Sequence, residues 1–384
     1  MKKQIALIKP QVSQYDVQHY FMDGLHTALL EKGIGCFLMD VDNPEKFLDT
    51  LLKEQPYCTL SFNAEAPDPS GRLLFDVLRI PHVAILLDSV VNNYLYLTKS
   101  PYYHLACVDR TSVDFLHSIG FNRSFFLPHA IENTVVYHPD SPKAYDITML
   151  GSCIDYKKIE ESWDQYSKPL QKAMVEAAET TLSSPATPCY QALLSALNKH
   201  KSSPRFDVNN KEMITILDQV ELYVRGKDRI ELINAIRVAP IHIFGSGNWE
   251  KYFGQNDNVV VHPPVPFTKA LELMQSSKII LNSSPQFKFG AHERIFYGLA
   301  SGAAVLCNKN SYLSGQFKEN VSILFYQYPQ WENINTLIGT YLNNDDKRAA
   351  LAKNGRKIAM KSHAWSNRVS CLIEYLQDHQ LLGV

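Results

Sequence analysis

The stretch Leu281–Leu306, LNSSPQFKFGAHERIFYGLASGAAVL, sets the end of a strand, a polar loop, a helix and a second strand in a row. Lys278–Leu281 is apolar enough for a strand, and Asn282–Gly290 carries Ser283, Ser284, Pro285 and Gly290, the composition of a loop. His292, Glu293 and Arg294 then open an apolar-periodic helix that Gly302 stops, and Val305–Cys307 is the next strand. That order places the loop at the carboxyl end of a sheet strand, where open α/β folds bind ligands. A helix start there presents free N–H groups and the positive end of its dipole to an anion. Arg294 adds a planar, permanently charged fork matched to phosphate. A cation in the first turn opposes the helix dipole, so Arg294 calls for a compensating anion, with an internal carboxylate as the alternative partner.

The same alternation runs outward in both directions. Toward the N-terminus, strands are expected at Gln4–Ile8, Gly35–Met39, Tyr57–Phe62, His82–Leu87, Leu105–Asp109 and Ser124–Leu127. Helices fall between them at Val17–Glu31, Pro44–Glu54, Arg72–Leu78 and Ser112–Ser118, so a parallel sheet covered on both faces is expected over 1–140. Pro128, Pro139 and Pro142 punctuate a linker, after which Asp146–Leu150, Ile241–Phe244, Val259–Val261 and Ile323–Tyr326 supply strands of a second domain, 141–365. Between them, about 156–238 lacks strand patterning, is broken by prolines at 185, 188 and 204, and reads as a helical insert with runs at Lys168–Thr181 and Lys211–Ile236. Leu337–Leu342, Lys347–Lys361 and Asn367–Gln377 are the closing helices.

Length and composition narrow the possibilities. A chain of 384 residues exceeds the size at which a single core stops growing, so two domains are the default. Lys plus Arg at 38 against Asp plus Glu at 39 leaves a net charge of -1, without the basic footprint of a nucleic-acid binder. No run reaches the length of a membrane-spanning helix, and MKKQIALIKP is too short in its apolar part for a signal segment. The seven cysteines are scattered and never in C-x-x-C spacing, which points to reduced core thiols and a cytoplasmic location.

Several segments in order carry a family resemblance. The opening stretch, with Asn282, Gly290, the Glu293-Arg294 pair and the small-residue helix end Ala300–Ala303, resembles the donor loop of GT-B glycosyltransferases, specifically the CgeB-like type related to the group-1 enzymes. PIHIFGSGN at 240–248 resembles the strand and glycine turn of that family's second domain; VAILLDS at 83–89, Asp109 and FLPHA at 126–130 resemble its first. SHAWSNR at 362–368 is similar to its closing H-x-W-x-x-R helix. The resemblance implies two Rossmann-like domains facing a cleft, with the helix of 366–384 packing back toward the first domain. It also implies transfer of a sugar from a nucleotide-sugar donor, with a uridine nucleotide expected, to an acceptor the sequence does not name. It departs at Tyr297, which stands where group-1 enzymes place a ribose-binding glutamate; Glu293, one turn earlier on the same face, is the candidate for that contact.

The donor-binding candidates are therefore Gly245, Ser246, Gly247, Asn282, Ser283, Gly290, Ala291, His292, Glu293, Arg294 and Tyr297. Gly245-Ser246-Gly247 is a weak signal, because Glu250 replaces the third glycine of a dinucleotide fingerprint and a plain tight turn explains it equally. Phe287 and Phe289 either flank the ligand or fill the loop's core. Asp88 ends an apolar strand and is the candidate acceptor-side base, with a helix N-cap as the equal alternative. His129 is a second catalytic candidate beside Arg294, and Asp109 reads as a cap for the helix that follows. Asp40-Val41-Asp42 mimics a metal-binding D-x-D but falls too early, so neither metal nor cofactor is expected. An epimerase of the same fold, or a nucleotide-sugar-binding module without catalysis, are the rival readings.

Overall fold

Both halves of the alternation close into six-stranded sheets in which every strand pairing is parallel. The computed structural model describes residues 4–11, 13–63, 72–94, 97, 100–139, 141–201 and 211–382, so Pro204 of the insert lies outside the described residues. The chain divides into two units, 1–134 with 362–384, and 135–361.

In the first unit β1 (Ile5–Ile8), α1 (Val17–Glu31), β2 (Cys36–Met39), α2 (Pro44–Glu54), β3 (Thr59–Phe62), α3 (Leu74–Leu78) and β4 (His82–Leu86) follow one another. Then come α4 (Val90–Asn93), β5 (Tyr103–Cys107), α5 (Arg110–Ser118) and β6 (Ser124–Phe126), in sheet order β2-β1-β3-β4-β5-β6. Local chemistry sets the helix limits. Asn43 accepts a hydrogen bond from the Lys46 amide at 3.0 Å ahead of Pro44, the residue best suited to a first helical position. Asp109 accepts from the Thr111 amide at 2.7 Å and caps α5, the role its sequence suggested, while β5 ends two residues before it.

The second unit runs β7 (Tyr145–Leu150), α6 (Tyr156–Ser162), α7 (Lys168–Ser183), α8 (Cys189–Lys199), α9 (Lys211–Ala235), β8 (Ile241–Phe244), α10 (Glu250–Phe253) and β9 (Val259–His262). It continues with α11 (Phe267–Gln275), β10 (Ser277–Asn282), α12 (Glu293–Ala300), β11 (Ala304–Asn308), α13 (Ser311–Gln316), β12 (Leu324–Tyr326), α14 (Ile334–Leu342) and α15 (Asp345–Ser362). Its order, β12-β11-β10-β7-β8-β9, reverses direction between β7 and β10, the doubly wound arrangement whose crevice opens at that reversal. The carboxyl half of α9 belongs to this unit's core: Ile230, Leu232 and Ile233, with Ile236 just past its end, pack with Ile147, Met149, Ile241 and Ile243 of the sheet. The insert is thereby anchored by apolar burial rather than appended to the surface.

The linker residues from Val135 onward lie in the second unit, for a packing reason. Arg356 sits 4.6 Å from the ring centroid of Tyr137, and that ring fills the space beneath Gly302, whose φ of +73° and lack of a side chain both suit the end of α12. The chain returns to the first unit as α16 (Trp365–Asp378). Trp365 packs on Phe21 and Phe62 and presses on Gly24 so closely that a Cβ there would lie 2.6 Å from its ring. Arg368 donates to the carbonyls of Pro128, at 2.8 Å, and His129, at 3.0 Å. His363, Trp365 and Arg368 thus form a structural tie on the Pro128-His129 turn.

Five cysteines are buried, Cys153 is half-buried and Cys371 exposed; burial pushes the Cys58 thiol up to about 12. Among the described residues no helix is long and apolar enough to cross a membrane.

Candidate functional site

The crevice between β7 and β10 is built from three loops at the carboxyl ends of β7, β8 and β10. The first two interlock. Gly151 N–H donates to the Phe244 carbonyl at 3.0 Å and Cys153 N–H to the Ser246 carbonyl at 2.8 Å, while the Ser152 and Ser246 hydroxyls meet at 2.8 Å. Gly245 is required by this contact: a Cβ there would lie 1.9 Å from the Gly151 carbonyl oxygen. Gly247, with φ at +90°, packs in the same way against Cys153. The glycines of the β8 turn therefore serve loop-to-loop approach, the plain reading weighed for them, and leave Ser246 as the turn's polar side chain.

The loop after β10 is held from beneath. Asn282 donates to the Ser284 hydroxyl at 2.8 Å, the Ser284 amide donates to Asn308 Oδ1 at 2.9 Å, and Asn310 donates to the Gly290 carbonyl at 3.0 Å. Ala291 is buried at the turn into α12. Phe287 is a core residue of the loop, whereas Phe289 is exposed. At the helix start His292 Nδ1 lies 2.5 Å from Glu293 Oε2 and 3.5 Å from the Arg294 amide. A nitrogen that carries the proton for the short contact does not accept at the long one, so the carboxylate pairing governs His292 and the amide is weakly capped. Glu293 also faces Arg294, Oε1 to Nη1 at 3.9 Å.

Tyr297 corrects the sequence reading. It is fully buried and meets Phe267 of α11 edge to face, with centroids 5.0 Å apart, so it belongs to the packing face of α12 rather than to a ligand surface. Its position one turn beyond Glu293 follows helical spacing, but the amphipathic stripe turns it inward.

The sequence reading also missed the insert's contribution. Arg229, 5% exposed on α9, donates from Nη1 to the Ser152 carbonyl and from Nη2 to the Ser283 carbonyl at 3.3 Å, spanning the crevice from one loop to the other. Its Nε is buried without a hydrogen-bond partner, and among the described residues no carboxylate lies within ion-pair distance of it. Burial, then the neighbouring Arg294 and Arg225 cations, pull Arg229 down to about 9, which still leaves it charged at neutral pH. Beside it Asp228 accepts from the Ser283 hydroxyl at 2.7 Å and the Tyr326 hydroxyl at 2.5 Å, and burial raises its pKa. Asp228 and Arg229 are buried among Val224, Ile230, Leu232 and Ile233, but the same stretch of α9 also carries Glu221, Arg225, Lys227 and Glu231, so nothing in the sequence singled the pair out. Two arginines at one crevice, one of them desolvated and without a carboxylate at ion-pair distance among the described residues, make a site that favours an anion.

In the first unit Asp88 sits half-buried just past β4. It is not the cap of α4; Ser89 is, accepting from the Val91 amide at 3.4 Å. His129 Nε2 donates to the Leu87 carbonyl at 3.0 Å, which brings its ring beside the residue preceding Asp88 and fixes its tautomer. A cavity of about 550 Å³ opens in the same unit, at the β1/β3 reversal of the sheet, lined largely by apolar side chains such as Phe47, Leu48, Phe62 and Leu74. Asp40 pairs with Lys9 at 3.3 Å on the surface, and among the described residues no group of three or more His, Cys, Asp or Glu side chains is assembled.

Solved structures resemble this chain over nearly its whole length. Sucrose-phosphate synthase from Thermosynechococcus elongatus is similar at a TM-score of 0.56 with 10% identity, covering 99% of this chain and 100% of that one. AviGT4, a glycosyltransferase involved in avilamycin A biosynthesis, gives 0.54 with 12% identity over 100% and 99%. The fold is GT-B. HepE from Anabaena, solved in complex with UDP and glucose, gives 0.52 with 10% identity over 98% and 100%. By sequence, residues 227–374 match the glycosyl transferase-like family, a span that opens just before Asp228 and Arg229 and takes in the crevice loop and the Arg368 tie. No curated protein sequence matches the chain.

Proposed function

We propose that this protein is a glycosyltransferase that takes a sugar from a nucleotide-sugar donor bound at the β7/β10 crevice of its second unit. The observation that carries the reading is the placing of Arg294 at the α12 start near the buried guanidinium of Arg229, which has no carboxylate within ion-pair distance among the described residues. A departing nucleoside diphosphate develops negative charge, and fixed cations in a desolvated crevice stabilise that charge without reorganising. The family match over this segment and the UDP found with HepE support a uridine nucleotide.

Glu293 holds the ribose in this reading, from its place beside His292 and Arg294. The first unit takes the acceptor, with Asp88 as the base and the 550 Å³ cavity as the seat for an acceptor's apolar part. No cofactor enters, and the two arginines do the work a divalent ion does in metal-dependent transferases. Excess chelator should therefore leave turnover intact; complete loss restored by manganese would sink that part.

Incubation with a panel of nucleotide sugars tests the whole. Slow release of nucleoside diphosphate supports a transferase. An isomerised donor would make the protein an epimerase, and tight binding without turnover would make it a binding module.

A further inference from the structure

The loop from Ser283 to His292 contains no helix or regular strand, yet most of it is buried, and its tethers come from an unexpected direction. Lys288, 2% exposed, donates from Nζ to the carbonyls of Thr181, at 2.6 Å, and Ser184, at 2.9 Å. Those carbonyls close the carboxyl end of α7, where the last turn of a helix has no intrahelical donors and carries the negative end of the dipole. Burying an ammonium is costly unless such partners are supplied, so this contact is specific in position. The other end of the loop is held by α9, through Asp228 on the Ser283 hydroxyl and Arg229 on the Ser283 carbonyl. A third link joins the backbones, the Ser311 amide donating to the Pro185 carbonyl at 3.1 Å, so that α13 is tied to the turn after α7 as well.

We infer that the insert α6–α9 is the positioning element of the crevice loop: Lys288 seats the loop on α7, and Asp228 with Arg229 holds its start on α9. Donor affinity then depends on helices that lie outside the sheet. The inference rests on the donor reading above, and its test separates the two.

Lys288→Met keeps an unbranched chain and removes the ammonium. In the unliganded variant, amide hydrogen exchange across 283–292 should accelerate about tenfold or more, because the loop opens without its tether. UDP, the probe, should bind about tenfold more weakly by calorimetry, and the donor KM should rise while kcat for hydrolysis stays within about twofold. Lys288→Arg, which keeps charge and donors, should recover most of both effects. Ser283→Ala, which deletes only the hydroxyl held by Asp228, should shift UDP affinity in the same direction by about threefold, and it carries the test if Lys288→Met does not fold. Unchanged exchange in the loop would overturn the inference, as would faster exchange with UDP affinity unmoved. A wild-type protein that binds neither UDP nor any other nucleoside diphosphate would instead overturn the donor reading, whatever the loop does.

Discussion

The two units place their sheet reversals in the same topological position and furnish them with opposite chemistry. At the β7/β10 reversal the crevice holds Arg229 and Arg294, with Asp228 and three serines arranged around them. At the β1/β3 reversal the cavity is lined mainly by Phe47, Leu48, Phe62, Leu74 and prolines, with Ser61 tied to a buried histidine, His82 Nε2 to Oγ at 3.1 Å. The fold specifies where a ligand sits and says nothing of its charge. The side chains decide that, and here they line one reversal with charge and the other mainly with apolar surface.

The charged end of this comparison is the one to break first. Arg294→Ala should weaken the transition state by roughly 2 to 4 kcal/mol, the scale of one preorganised electrostatic contact, and Arg294→Lys should recover only part of it. Steady-state kinetics on variants of equal thermal stability measure this, and near wild-type turnover in Arg294→Ala would reduce the helix start to a structural feature. Arg229→Met sharpens the same point. Removing a buried cation that has no carboxylate at ion-pair distance among the described residues relieves repulsion with Arg294 and loses two hydrogen bonds and a weaker attraction to Asp228, so the net change in unliganded stability should stay within about 2 kcal/mol. UDP affinity should nonetheless fall about thirtyfold. If stability collapses and affinity in the surviving fraction holds, Arg229 is a brace only.

The apolar end makes a different prediction, through acid. Burial pushes His82 down to about 3, with the His104 charge adding to it, and burial together with Arg368 does the same to His363. Both pKa values are depressed below the ordinary 6.5, so between about pH 6.5 and 3 the unfolded chain binds protons that the native first unit refuses. Stability in that window therefore falls as pH falls, by roughly 1.4 kcal/mol per pH unit for each histidine. Urea unfolding read from Trp365, on a background in which Trp163, Trp249 and Trp331 of the second unit are replaced by Phe, should show this slope. His82→Phe should flatten it by one proton's worth, and an unchanged slope would mean that His82 is solvated in the native state.

How much of this was legible beforehand follows from what each signal depends on. Val17–Glu31 and Pro44–Glu54 were readable to the residue because their limits are set locally, by Gly33 with φ of +74° and by the Asn43-Pro44 start. α11, Phe267–Gln275, was missed: it is short, and its sequence is flanked by proline-rich loop. The loop that carries Asn282, Ser283 and Gly290, and the start of α12 after it, were legible as elements because a strand–loop–helix pattern is also local. Arg229 was not, since its importance lies in reaching carbonyls 77 and 54 residues away along the chain. That Ser89 rather than Asp88 caps α4 likewise depends on which of two adjacent polar residues turns back toward the helix, which spacing alone does not determine.

Tyr297 is the smallest and most diagnostic test of that boundary between local pattern and tertiary placement. The family resemblance sets it where group-1 enzymes place a ribose-binding glutamate, whereas its ring is fully buried against Phe267. Tyr297→Phe removes one hydroxyl from a packed interior, so stability should change by no more than about 1.5 kcal/mol and the donor KM should stay within experimental scatter. If the proposed donor site is right, Glu293→Ala should raise that KM, because that proposal assigns the ribose to the carboxylate beside His292. Tyr297→Ala is the contrasting control: opening a cavity the size of an aromatic ring should cost about 3 to 5 kcal/mol of stability before any kinetic effect is read. A Tyr297→Phe protein with unchanged melting and a severalfold higher donor KM would place the tyrosine hydroxyl in the site. The α12 helix would then have to rotate its buried face toward the crevice when the donor binds.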